Sequence, residues 1–192
     1  MRKKRDFSQY DFSRVAIIGC PGSGKTVLSE KMQCIMHREA VHLDKLLWLP
    51  DWQMMEFSQR EKIHDDIINQ PQWLMDGMWR SHLPRRFERA TLVIFLDYRR
   101  RISLRRAVKR RIVNSGRQRQ DMAEGCKERL DGYFLKYIWT FRRKVRPEIL
   151  HLAKQHPDTP MIILKSPRQT QKFLSELRNF YSQTPPRQKE QQ

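Results

Sequence analysis

Gly19-Cys20-Pro21-Gly22-Ser23-Gly24-Lys25-Thr26 matches G-x-x-x-x-G-K-[ST] at every fixed position, and the rest of the chain is read outward from it. A glycine-rich turn lets several backbone N–H groups converge on phosphate oxygens, while the helix that follows directs the positive end of its dipole at them. In such a cradle Gly19, Pro21, Gly22, Ser23 and Gly24 shape the loop, Lys25 reaches the β- and γ-phosphates of a nucleotide, and the Thr26 hydroxyl binds Mg2+. The flanks agree: Val15-Ala16-Ile17-Ile18 is a short apolar strand, and residues 26–36 contain no Gly or Pro. Strand, loop and helix stand in the order that a P-loop requires.

At 192 residues, the chain is long enough for one domain with a core that needs no staples. Cys20, Cys34 and Cys126 form neither a C-x-x-C pair nor an even disulfide framework, which points to a reducing compartment. No apolar run approaches a membrane span, and Met1-Arg2-Lys3-Lys4-Arg5 leads into Asp6-Phe7-Ser8-Gln9-Tyr10 instead of an apolar signal region. A cytoplasmic location without membrane contact is therefore expected. Lys and Arg outnumber Asp and Glu by 39 to 21, a net charge of +18 that favours anionic partners without choosing among them. No acidic residue falls between Asp97 and Asp121, a stretch that carries Arg99, Arg100, Arg101, Arg105, Arg106, Lys109, Arg110, Arg111, Arg117 and Arg119. Such a run serves either phosphate binding or a solvated basic face.

Five strand candidates, residues 15–19, 40–44, 73–77, 91–97 and 161–165, recur between helical stretches at 53–69, 101–114, 127–154 and 169–181. Strands alternating with helices predict an α/β fold with a parallel sheet covered on both faces. Leu92-Val93-Ile94-Phe95-Leu96 and Met161-Ile162-Ile163-Leu164 are continuously apolar, as strands buried on two sides are. Residues 1–13 read as a mobile basic arm, 14–182 as the nucleotide-binding domain and 183–192 as a frayed polar tail.

Asp44, Asp76 and Asp97 each close an expected strand, and the carboxyl ends of strands in an open parallel sheet border the ligand crevice. A carboxylate there either supports Mg2+ or accepts the proton of the attacking hydroxyl; it can also simply cap a helix or form a turn. Asp76 precedes Gly77 and, shortly after, Arg80, a pairing that lets backbone approach phosphate while an arginine offers a bidentate fork. Trp48-Leu49-Pro50-Asp51-Trp52, just after Asp44, is either an acceptor pocket lining or a packing segment. The six histidines stand at no metal-ligand spacing.

Taken together, these segments resemble the adenylate-kinase-like P-loop kinases, and among them the bacterial "topology modulation protein" family. The likeness is carried by residues 17–26, by His42-Leu43-Asp44 with Trp48-Leu49-Pro50-Asp51-Trp52, by Trp73-Leu74-Met75-Asp76-Gly77, and by residues 116–126 and 134–142. It implies a P-loop NTPase fold with a five-stranded sheet in the order 2-3-1-4-5, and it makes Asp76 the Mg2+-supporting carboxylate beside the P-loop strand. It further implies a helical, arginine-rich lid over about residues 105–126, in which Arg106, Arg110, Arg117 and Arg119 close over ATP. The family continues Asp-Gly with Asn and Tyr, whereas this chain has Met78-Trp79. The activity so implied is Mg·ATP-dependent transfer of the γ-phosphoryl group to a small-molecule acceptor, of nucleoside-monophosphate-kinase type, with Lys25, Asp44, Asp76, Arg110 and Arg117 as catalytic candidates. The alternative is an ATP-switched protein that docks on nucleic acid and affects DNA topology; no helix-turn-helix or zinc-finger spacing accompanies it.

Overall fold

The computed structural model describes residues 5–50, 53–113 and 131–183. Along the chain run β1 (Arg14–Gly19), α1 (Lys25–Met36), β2 (Ala40–His42), α2 (Leu43–Leu47), β3 (Trp48–Leu49), β4 (Gln53–Met54), α3 (Phe57–Ile68) and β5 (Trp73–Asp76). There follow α4 (Leu83–Arg89), β6 (Leu92–Leu96), α5 (Arg100–Val113), α6 (Gly132–Lys144), α7 (Arg146–Gln155), β7 (Met161–Leu164) and α8 (Pro167–Gln183). Five strands form a parallel sheet in the order β2-β5-β1-β6-β7. Counted within that sheet alone, this is the expected 2-3-1-4-5, and it is a P-loop α/β fold. The β3–β4 hairpin is a separate antiparallel pair.

The central strands are apolar on both sides because both sides are covered. Val15, Ile17, Leu74 and Ile94 pack with Leu28 and Met32 of α1 and Phe173 and Leu177 of α8. Ala16, Ile18, Met75, Val93 and Phe95 face the opposite way, onto Phe87 of α4, Ile138 and Phe141 of α6 and Ile149 of α7. Each of the larger side chains contributes roughly 1.5–3 kcal/mol by leaving water. Among the described residues, no helix is long and apolar enough to cross a membrane.

Three expectations are corrected. Residues 5–13 are not a mobile arm: Phe7 and Phe12 are buried in the α1–α8 core, with the Phe7 ring edge-on to Phe173 at 5.5 Å. Arg38 donates to the carbonyls of Phe12 and Ser13, pinning the segment to the end of α1. The second strand stops at His42, and Asp44 lies in the first turn of α2, because fully buried Leu43 turns inward against Gly77. The helical stretch expected over 127–154, of which 127–130 lie outside the described residues, is divided into α6 and α7, parted at Val145 just ahead of Arg146-Pro147, where proline takes a first-turn position that needs no N–H. Residues 184–192 of the expected tail lie outside the described residues.

Candidate active site

The loop between β1 and α1 takes its shape from its glycines. Gly22 has φ 77°, and a Cβ there would lie 2.5 Å from the Ser103 carbonyl oxygen of α5, so only glycine lets α5 sit on the loop. Gly24, φ 93°, is the N-cap of α1, whose first-turn N–H groups have no acceptor within the helix. Ser23 N–H donates to Cys20 O at 3.0 Å, closing the turn, and the Ser23 hydroxyl is buried without a protein partner. Lys25 opens α1; it is 8% exposed, and none of the described carboxylates lies within ion-pair distance of it. Cys20 turns away from the loop, into the core under α6, where its thiol faces Ile138 O at 3.9 Å and burial pushes its pKa up to about 12.

Asp76 ends β5, next to β1, in register with Ile17 on one side and His42 on the other. Its carboxylate is 3% exposed and collects three groups: Ser29 Oγ donates to Oδ2 at 2.5 Å, His42 Nδ1 meets the same oxygen at 2.5 Å, and Thr26 Oγ1 lies 3.5 Å from Oδ1. Ser29 stands one helical turn after Lys25 and Thr26, so α1 delivers its lysine, its threonine and this anchor from one end. Ser29 escaped the sequence reading, as did the place of His42 beside Asp76, which is legible only once the register of β2 on β5 is known.

Asp44 is half-buried at the start of α2, and Arg86 of α4 lies behind it, feeling both Asp44 and Asp76. Arg86 is 1% exposed; Nη1 donates to Gly77 O at 2.9 Å and Nη2 to Trp79 O at 2.7 Å. Burial draws its pKa down to about 10 against the pull of the two carboxylates. No motif announced it. The fork expected of Arg80 is instead engaged with Glu148 of α7, Nη2 lying 2.6 and 2.7 Å from the two carboxylate oxygens. Asp97, directly after β6, is likewise engaged: its buried carboxylate meets Arg146 Nε at 2.9 Å and Arg142 Nε at 3.3 Å, tying α6 and α7 to the end of β6.

From the other side, Arg106 of α5 reaches the loop, donating from Nη1 to Ser23 O at 3.0 Å with its guanidinium 5.4 Å from the Tyr98 ring centre. Arg110 follows one turn along α5 and is half-buried. Arg117 and Arg119, and most of the expected 105–126 lid, lie outside the described residues.

The donor set fits a triphosphate with a hard divalent cation. The amides at the start of α1 and the buried Ser23 hydroxyl, which has no protein partner, are donors suited to phosphate oxygens, and the Thr26 hydroxyl beside the Asp76 carboxylate offers the oxygen pair that Mg2+ takes when phosphates and water complete its shell. Among the described residues there is no cluster of three or more His, Cys, Asp or Glu for a metal held by protein alone.

No family model matches the chain, and no curated protein does. Solved structures do: a gluconokinase from Sinorhizobium meliloti 1021 aligns over 92% of this chain and 100% of its own, with TM-score 0.49 and 13% identity. A provisionally named kinase from Chloroflexus aurantiacus j-10-fl aligns over 88% and 98%, with TM-score 0.47 and 13% identity.

Proposed function

We propose that this chain is a Mg·ATP-dependent kinase of nucleoside-monophosphate-kinase type, moving the γ-phosphoryl group to the hydroxyl or phosphate oxygen of a small acceptor. The observation that carries this reading is the meeting of a complete P-loop with the buried Asp76 carboxylate, with Asp44 in the first turn of α2, just past the neighbouring strand. The loop amides and Lys25 hold the triphosphate, and Arg106, with Arg110, Arg117 and Arg119, neutralises the equatorial oxygens as charge shifts among them. Thr26 and Asp76 would hold Mg2+, which would supply charge neutralisation for the phosphoryl group in transfer. Asp44 takes the proton of the attacking hydroxyl as the new O–P bond forms and the bond to the β-phosphate oxygen breaks. Residues 14–182 form the kinase unit, with 105–126 as its lid, working in the cytoplasm. The likeness to topology modulation proteins supports this reading through the segments around Asp44 and Asp76.

Purified protein screened with Mg·ATP against nucleotides, nucleosides, sugars and hydroxy acids should show transfer to one class. Lys25→Ala should lose at least about tenfold in Mg·ATP affinity by calorimetry while melting within a few degrees of wild type; unchanged affinity and turnover would remove the site.

A second reading, an ATP-switched nucleic-acid-associated protein, is favoured by one feature: Arg100 on basic α5 stacks at 3.8 Å on Trp139, itself 51% exposed. Tight DNA or RNA binding at physiological salt that responds to ATP supports it. Binding that disappears at modest salt leaves only the attraction of a +18 chain for phosphate.

A further inference from the structure

Arg86 is fully buried, yet its Nε has no partner, and among the described residues no carboxylate lies close enough to pair with it. A guanidinium in that state stabilises a fold poorly, and an apolar side chain of similar volume packs α4 as well or better. What the apolar residue lacks is the grip on two carbonyls, those of Gly77 and Trp79, in the turn that leaves β5. The same turn is pressed from its other side. Gly77 has φ 143°, and a Cβ there would lie 2.7 Å from the Leu43 Cβ, the residue immediately before Asp44.

We infer that Arg86 is a positioning residue for phosphoryl transfer: it clamps the 77–79 turn against the start of α2 and thereby fixes Asp44 relative to Asp76, touching neither nucleotide nor acceptor. This rests on the kinase reading above. Misplacing a reacting group by about 1 Å lowers a rate by roughly a hundredfold, so a residue that only holds a turn has catalytic leverage. The guanidinium also sets a fixed positive charge behind the two carboxylates, which a neutral side chain in the same space does not.

The test compares full-length wild type with Arg86→Lys and Arg86→Met, using Mg·ATP as the probe and water as the acceptor. Hydrogen exchange reports the 76–82 and 43–47 segments, calorimetry the Mg·ATP affinity, and ADP release kcat and KM. In Arg86→Met, exchange in both segments should rise about tenfold or more with α1 unchanged. Mg·ATP affinity and KM should stay within about threefold while kcat falls about 30- to 100-fold. Arg86→Lys should recover much of that loss, and Arg86→Met should add little to Asp44→Asn, since Arg86 acts through Asp44. Wild-type exchange in 76–82, a loosened turn with wild-type kcat, or losses that spread to α1 in step with general unfolding would each overturn the inference. Wild type that neither binds nor turns over Mg·ATP would overturn the kinase reading instead, and the exchange comparison would still decide whether Arg86 holds the turn.

Discussion

On the proposed function Asp44 and Asp76 do different work, and their surroundings differ accordingly. Asp76 is enclosed by Ser29, His42 and Thr26, whereas Asp44 is half-buried at the head of a five-residue helix. Asp44→Asn should therefore leave Mg·ATP affinity nearly intact and lower transfer by about two to four orders of magnitude, the range for a lost general base. Unchanged transfer, with a stability change under about 1 kcal/mol, would reduce Asp44 to a turn residue. His64 carries a different consequence. It is fully buried in α3, neither ring nitrogen has a hydrogen-bond partner, Nδ1 lies 3.6 Å from Asp65 Oδ1, and its ring lies 4.8 Å from His82 and 5.6 Å from Trp79. Burial first, then the charges of Arg86 and His82, bring its pKa down to about 4 against the opposing Asp65. Glu61 and Arg85 complete the charged groups around this pair of histidines. A folded pKa below the unfolded value near 6.5 means that the unfolded chain binds the extra proton, so this contribution to stability is whole above about pH 6.5 and is lost as pH falls towards 4. The melting temperature should drop between pH 7 and 5 by several degrees in wild type and by less in His64→Leu; equal slopes would remove His64 as the cause.

At the scale of elements, the contact of α5 with the phosphate loop passes through Gly22. Gly22→Ala combines a left-handed φ with a collision against a backbone carbonyl, neither of which a rotamer change relieves. It should destabilise the fold by about 1–3 kcal/mol and weaken Mg·ATP binding with it, as denaturant melts and calorimetry would show. A variant as stable and as tight-binding as wild type would mean that α5 moves freely off the loop. The five sheet strands were legible because burial on two faces leaves continuous apolar runs, and the loop because its glycines and lysine have one joint use. The end of β2 was not legible: Val41-His42-Leu43-Asp44 continues an extended pattern, and only the close seat of Leu43 on Gly77 turns it into a helix. Arg86 was hidden for a related reason. Its partners sit seven and nine residues back along the chain, across a turn and into a short helix of only Leu83–Arg89, a separation that no local period encodes. Val145, which divides α6 from α7, is apolar and in phase with both, so the break shows only in the proline that follows.

Over the whole molecule, the N-terminal segment closes the core instead of trailing from it. Phe7 touches Tyr10, Phe12, Phe173 and Phe180, and Phe12 touches Tyr181, so one aromatic cluster joins the chain's beginning to α8. Phe7→Ala should lower stability by about 3–5 kcal/mol in denaturant melts, as a large deletion in a packed core does. A loss below about 1 kcal/mol would return the segment to the status of an arm. At the far side of the sheet, β2 is three residues long and, among the described residues, lies at an edge and pairs only with β5. The chain between β2 and β5, residues 43–72, thus hangs from a margin, and none of the pairings among β5, β1, β6 and β7 passes through it. On the kinase reading proposed above, heredity works on such a margin cheaply: a lineage exchanges its acceptor by rewriting one peripheral segment, while the residues that hold the phosphate donor are inherited intact.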